Sequence, residues 1–269
     1  MSFGGSEMVA MVSTSNILGY RVANVPLPEI VDLAGGLLAN GGEPIVFACA
    51  NPHTLTLARS DPALQAALRN TTILVPDGMG LVLAGRLLRR SFAERVTGPD
   101  FFEAFSARLN AQGNRSYYFL GTTEEVLARL VARLSREYPR IAVAGTYAPP
   151  FRETLDGPEN EEICERINAA KPDVLWVGMS SGKQEKWVEA NRGRLQARFI
   201  GAVGAAFDFY AESVRRAPRL FREAQLEWLY RLSFEPQRLW RRSVVSAPAF
   251  AYQVCRQHVF ARPAAGVHR

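Results

Sequence analysis

Six short apolar runs, each closed by turn residues, constrain this chain more than any other feature. They cover 44–49, 71–75, 116–120, 141–145, 173–177 and 199–203. Each is too short for a buried helix, and the runs are apolar without strict alternation, as strands covered on both faces are. Helices are expected between them over 53–69, 79–88, 99–110, 124–138, 158–170 and 184–192. Strand followed by helix, six times over, predicts an α/β fold. Its core would be a mostly parallel, Rossmann-like sheet flanked by helices, with a basic helical C-terminal appendage. A chain of 269 residues accommodates this as a disordered N-terminus over 1–15, an α/β domain over 16–212 and the appendage over 213–269. The boundary is expected near Glu212-Ser-Val-Arg-Arg-Ala-Pro218.

Several function classes are excluded early. Cys49, Cys164 and Cys255 form no CxxC pair, so neither a disulfide framework nor a zinc site is expected, and free thiols suit a reducing compartment. The first fifteen residues lack a basic stretch followed by an apolar one, so no signal peptide is read. No apolar run approaches the ~20 residues that span a bilayer; 243–252 comes nearest. Charge is placed unevenly. Residues 211–269 hold eleven Arg against four Asp or Glu, a balance of +7, whereas 1–210 balance at −1. That tail also carries Trp228 and Trp240. Arginines interleaved with aromatics suit an amphipathic helix on an anionic membrane surface; the same residues would also suit a helix packed on the main domain with its arginines in solvent. No RNA-binding motif is visible, so no nucleic-acid partner is expected.

In a parallel sheet ligands bind at the carboxyl ends of the strands, which directs attention to the residues just after each run. Gly78, Gly121, Tyr147 and Gly178 occupy such ends. Asp77, in Val-Pro-Asp-Gly-Met-Gly, is either a turn residue or a general base. Arg95, in Glu-Arg-Val-Thr-Gly-Pro, is either a solvated surface charge with Glu94 as a partner or a fork-shaped donor for a diphosphate. Gly178-Met-Ser-Ser-Gly-Lys183-Gln184 falls short of a P-loop and has Gln where Ser or Thr would hold magnesium. As a small-residue loop before a helix it still suits an anion or a sugar. Asp208 either caps a helix or accepts from a nucleobase or ribose. There is no GxGxxG for a nicotinamide cofactor and no Asp-x-Asp for a magnesium-bound nucleotide sugar. No cofactor and no metal site are therefore expected.

Taken in order, the stretches Phe47-Ala-Cys-Ala-Asn-Pro-His53, Val75-Pro-Asp-Gly-Met-Gly80, Glu94-Arg-Val-Thr-Gly-Pro-Asp100, Lys183-Gln-Glu-Lys-Trp187, Gly204-Ala-Ala-Phe-Asp208 and Leu226-Glu-Trp-Leu-Tyr-Arg231 resemble the WecG/TagA/CpsF family of bacterial glycosyltransferases. The resemblance spans about 44–242. It implies an inverting, metal-independent transfer from a UDP-sugar to an undecaprenyl-diphosphate-linked sugar, at the cytoplasmic face of the membrane. On that resemblance the base falls on Asp77 and the essential arginine on Arg95. A Thr-x-Asn falls on Cys49-Ala50-Asn51, a conserved glutamine on Gln184, and the carboxylate near the nucleotide base on Asp208. Lys183 would assist Arg95, and Arg216, Arg219 and Arg231 of the tail would reach the diphosphate. Two departures stand out. Cys49 replaces Thr, a weaker hydrogen-bond donor. Ser181-Gly182 replaces Ser-Pro, which would loosen that loop. The donor sugar stays open, as does a homo-oligomer. The rival readings are a membrane-associated UDP-sugar-binding protein without transferase activity, and a soluble sugar-nucleotide hydrolase or epimerase.

Overall fold

The computed structural model describes residues 12–40, 43–89, 92–152, 154–213 and 245–260. Six strands form one sheet: β3 (Ile45–Ala50), β4 (Ile73–Pro76), β5 (Arg115–Gly121), β6 (Ile141–Tyr147), β7 (Val174–Gly178) and β8 (Phe199–Ala202). Their spatial order is β4-β3-β8-β7-β5-β6, and every neighbouring pair is parallel. The expected α/β class holds. A separate antiparallel hairpin, β1 (Thr14–Ile17) with β2 (Tyr20–Ala23), precedes it. Leu18 and Gly19 make its two-residue turn, with φ of 52° and 87°. Positive φ at both positions gives the twist that suits a tight hairpin.

Helices cover both faces. α1 (Leu27–Asn40), α5 (Gly98–Gln112) and α6 (Glu124–Glu137) lie on one. Its core is aromatic: Phe47 stacks on Phe101 with ring centroids 3.9 Å apart, and Trp176 meets Phe102 edge-on at 5.0 Å. The other face carries α2 (Pro52–Ala58), α3 (Pro62–Arg69), α4 (Met79–Leu87), α7 (Gly157–Ala170) and α8 (Lys183–Asn191). Strand residues alternate between these layers: Ile45, Phe47 and Cys49 face the aromatic side, whereas Val46, Ala48 and Ala50 face the other.

One long helix was expected over 53–69, and the chain forms two. Pro62 has no N–H to continue a helix and keeps Asp61 extended, at φ −123° and ψ 96°. Asp61 then caps α3 by accepting from Leu64 N at 3.0 Å.

After β8 comes the short α9 (Ala206–Tyr210), and α10 (Ala247–Phe260) returns to the domain, packing on α2 and α4. Phe250 and Val254 are buried there, Ser246 Oγ meets His53 Nδ1 at 2.8 Å, and Thr56 Oγ1 donates to Ser246 O at 3.2 Å. This much of the C-terminal stretch is part of the α/β body. No helix among the described residues is long and apolar enough to cross a membrane.

Candidate active site

The carboxyl ends of β3 and β4 are tied together by backbone bonds that no side chain can alter. Asp77 N donates to Ala50 O at 2.7 Å, and Val96 N donates to Pro76 O at 3.0 Å. The first bond sets Asp77 beside the end of β3, where Asn51 begins α2. The second sets Arg95 beside the end of β4. The loop carrying Arg95 is pinned elsewhere too: Ala93 N donates to Asn24 Oδ1 at 2.8 Å, and Leu27 N donates to the Glu94 carboxylate. Glu94 thus serves the start of α1. Thr97 closes the loop as the N-cap of α5, accepting from Asp100 N and donating to Asp100 Oδ2 at 2.6 Å.

Cys49 lies at the bottom of this group, 8% exposed. Burial pushes its thiol well above the ordinary value, and the nearby Asp77, Glu185 and Asp100 carboxylates add to the shift. That direction favours the protonated thiol, a poor nucleophile. Asn51 caps α2 through Oδ1, accepting from Thr54 N at 2.9 Å and Thr54 Oγ1 at 3.1 Å. Among the described residues its amide nitrogen makes no hydrogen bond, and the residue is half-buried at the end of β3.

A second group ties the ends of β7, β8 and β5. Gln184 Oε1 accepts from Met179 N at 3.2 Å and from Gly204 N at 2.9 Å, while its Nε2 donates to Glu185 Oε1 at 3.0 Å. It is 4% exposed, and all of its polar atoms engage the protein. Gln184 is a brace between two loops. Asp208 accepts from Thr122 Oγ1 at 3.3 Å, linking the segments after β8 and β5. Packing accounts for two of the glycines: a Cβ on Gly121 would collide with Gly178 O, and one on Gly178 with the Phe207 ring. Gly78 has open space around it and is required by its backbone, at φ 89°.

The Gly182 loop is held, where the sequence suggested loosening. Gly182 adopts φ 87°, out of reach for proline, and its N–H donates to Glu185 Oε2 at 2.6 Å. Lys183 Nζ donates to Arg152 O at 2.6 Å, and burial lowers its pKa. Tyr147 does not join the Asp77 group. β6 and β4 are opposite edges of the sheet, five strand spacings or roughly 24 Å apart. Its ring lies under Arg166 of α7, 5.3 Å from the guanidinium carbon. Arg216, Arg219 and Arg231, with Trp228 and Trp240, lie outside the described residues. Glu185 and Asp100 were not singled out from the sequence, although each stands three residues after Gly182 or Thr97, the spacing at which an acidic side chain reaches back to a helix start. Among the described residues no group of three or more His, Cys, Asp or Glu is arranged to hold a metal ion.

A parallel sheet with Asp77, Arg95 and Asn51 at neighbouring strand ends has the architecture in which α/β enzymes bind their ligands. The sequence profile of the glycosyl transferase WecG/TagA/CpsF family matches residues 15–264. The chain belongs to that family and is a glycosyltransferase. It is similar to an N-acetylglucosaminyldiphosphoundecaprenol N-acetyl-beta-D-mannosaminyltransferase of Staphylococcus aureus (strain NCTC 8325 / PS 47), 27% identical over 242 residues, which cover 90% of this chain and 92% of the relative. A protein of the same name from Bacillus spizizenii (strain ATCC 23059 / NRRL B-14472 / W23) is 29% identical over 207 residues, 77% of each chain.

Proposed function

We propose that this glycosyltransferase moves a sugar from a UDP-sugar to a sugar carried on undecaprenyl diphosphate, with inversion and without a metal ion, at the cytoplasmic membrane face. Asp77 takes the proton of the acceptor hydroxyl as that oxygen attacks the anomeric carbon. The bond from this carbon to the diphosphate breaks, and UDP leaves with the electron pair. Arg95 offsets the charge gathering on the diphosphate, the task magnesium performs elsewhere. Asn51 offers its amide group to a sugar hydroxyl. Gln184 keeps the ends of β7 and β8 in register behind the donor. Asp208 faces the nucleoside, and Arg216, Arg219 and Arg231 add charge from the tail.

One observation carries this reading: the two backbone bonds, Asp77 N to Ala50 O and Val96 N to Pro76 O, that tie base, arginine and Asn51 at one point of the sheet. The relatives add support, since their names give both a lipid-diphosphate-linked acceptor and a β-linked product, the outcome of inversion at an α-linked donor. The test is UDP release from a panel of UDP-sugars, starting with UDP-N-acetylmannosamine, with and without a short-chain lipid-diphosphate-sugar acceptor. Release should require the acceptor. Asp77→Asn should lower turnover by roughly 10²-fold with UDP affinity retained. Release without acceptor would mark a hydrolase, UDP binding with no turnover a binding protein, and near-normal turnover of the variant would remove Asp77 as base.

A further inference from the structure

The large apolar side chains left exposed among the described residues are not scattered. α4 carries Leu83, 54% exposed, and Leu87; α10 carries Tyr252, 64% exposed, and Val259; α2 carries Leu57. These three helices form one layer, with α10 packed on both α2 and α4. From Leu57 the layer continues to the loop after β6. Leu57 Cδ1 lies beside Gly182, the next residue Lys183 donates to Arg152 O, and the residue before Arg152 is Phe151, wholly exposed at 103%. Pro149 and Pro150 stiffen the chain just before it.

Charge on this layer is one-sided. α2, α4 and α10 contain no Asp or Glu. Arg86 lies one turn from Leu83 on α4 and is exposed, as are Arg89 and Arg256. None of the three has an ion pair among the described residues. On α6, across the sheet, Arg129 and Arg133 each sit one turn from a Glu and bond to it. Apolar side chains beside unpaired arginines, with no acid among them, match an anionic lipid surface: the hydrocarbon edge takes the Leu and aromatic groups, and lipid phosphates take the guanidiniums. A two-fold dimer through this face would set arginine against arginine with no acid to answer them.

The layer also adjoins the cleft. α2 starts at the residue after Asn51, and α4 starts two residues after Asp77. We propose that the α2–α4–α10 face, with Phe151 at its rim, is a docking surface for anionic lipid, holding the strand ends at headgroup level where a lipid-linked diphosphate would present itself. The purpose of this surface rests on the glycosyl transfer proposed above; its test does not.

That test is flotation of the full chain with vesicles of phosphatidylglycerol and phosphatidylcholine, or of phosphatidylcholine alone. The variants are Leu83→Glu/Leu87→Glu, Arg86→Gln/Arg89→Gln and, on α6 across the sheet, Arg129→Gln/Arg136→Gln. Turnover on a water-soluble short-chain acceptor is read in parallel as a check on folding. The leucine variant should lose at least roughly tenfold in partition coefficient at low and high salt, since apolar insertion is not screened. The Arg86/Arg89 variant should weaken binding at low salt only, and the far-face variant should match the wild type. All three should keep soluble-acceptor turnover. Wild-type partition in the leucine variant would overturn the proposal. So would equal binding to neutral vesicles, or a leucine variant whose only change, by sedimentation velocity, is loss of a dimer. A wild type that binds vesicles yet releases no UDP with any donor would leave this surface standing and remove the proposed reaction instead.

Discussion

Replacing Gln184 by Leu tests how far the candidate site depends on its brace. The substitution keeps volume and removes every polar atom of a side chain that is 4% exposed. Two backbone N–H groups, of Met179 and Gly204, lose their acceptor, and Glu185 Oε1 loses its donor. A buried group left unsatisfied costs about 1–3 kcal/mol, so three at the low end cost about 3 kcal/mol. That is a large share of a native stability of about 5–15 kcal/mol and should lower the melting temperature by about 6–12 °C. Thermal and urea unfolding by circular dichroism measure it. Gln184→Glu sharpens the test. It keeps both acceptor bonds but sets a second carboxyl against Glu185. The introduced carboxyl would have a folded pKa above its unfolded value of about 4.3. Its contribution is then fully present below the unfolded pKa and lost as pH rises through the folded one. The deficit of this variant against the wild type should therefore be smallest near pH 5 and grow towards pH 8. A Leu variant within about 0.5 kcal/mol of the wild type, or a Glu variant with a deficit flat in pH, would refute the reasoning.

Three further outcomes follow from the same geometry. Gly182→Pro cannot adopt φ 87° and removes the N–H that Glu185 accepts, so it should cost about 2 kcal/mol or more in urea unfolding; unchanged stability would contradict the loop conformation. Cys255 is exposed while Cys49 and Cys164 are buried, so a disulfide reagent should find one fast thiol in the native protein and three in denaturant, and a second fast native thiol would contradict the protonated, enclosed Cys49. Turnover should survive excess EDTA, because arginines take the place of a metal in the proposed reaction; complete loss restored by magnesium or manganese would reverse that.

The glycine positions separate two demands that look alike in a sequence. Gly178 is small because the Phe207 ring leaves no room for a Cβ, Gly78 is a glycine because of its positive φ at the start of α4, and Gly121 meets both demands, with φ 128° and Gly178 O against it. A larger residue at Gly121 would push β5 from β7 and disturb Asp208 through Thr122. One at Gly78 would strain the turn beside Asp77 itself.

Sequence alone determined the class of fold, because short apolar runs at regular intervals have few ways to be buried other than a covered parallel sheet. It also directed attention to the strand ends, since Asp77, Asn51, Arg95 and Asp208 each follow an apolar run or lie in a loop. The hairpin Thr14–Ala23 and α1 escaped that reading. Ile30, Val31, Ala34, Leu37 and Leu38 do carry a helical spacing, but the turn at Leu18-Gly19 places a leucine at positive φ, which composition does not announce. Strand order belongs to the tertiary structure alone: no local pattern says that β4 and β6 are opposite edges, which is what separates Tyr147 from Asp77. The duty of Gln184 was equally hidden. It looks like a polar helix residue ready for a ligand, and only the approach of the loops after β7 and β8 consumes its hydrogen-bonding atoms. Local spacing reports what a residue is able to bond, while folding decides which partner reaches it first.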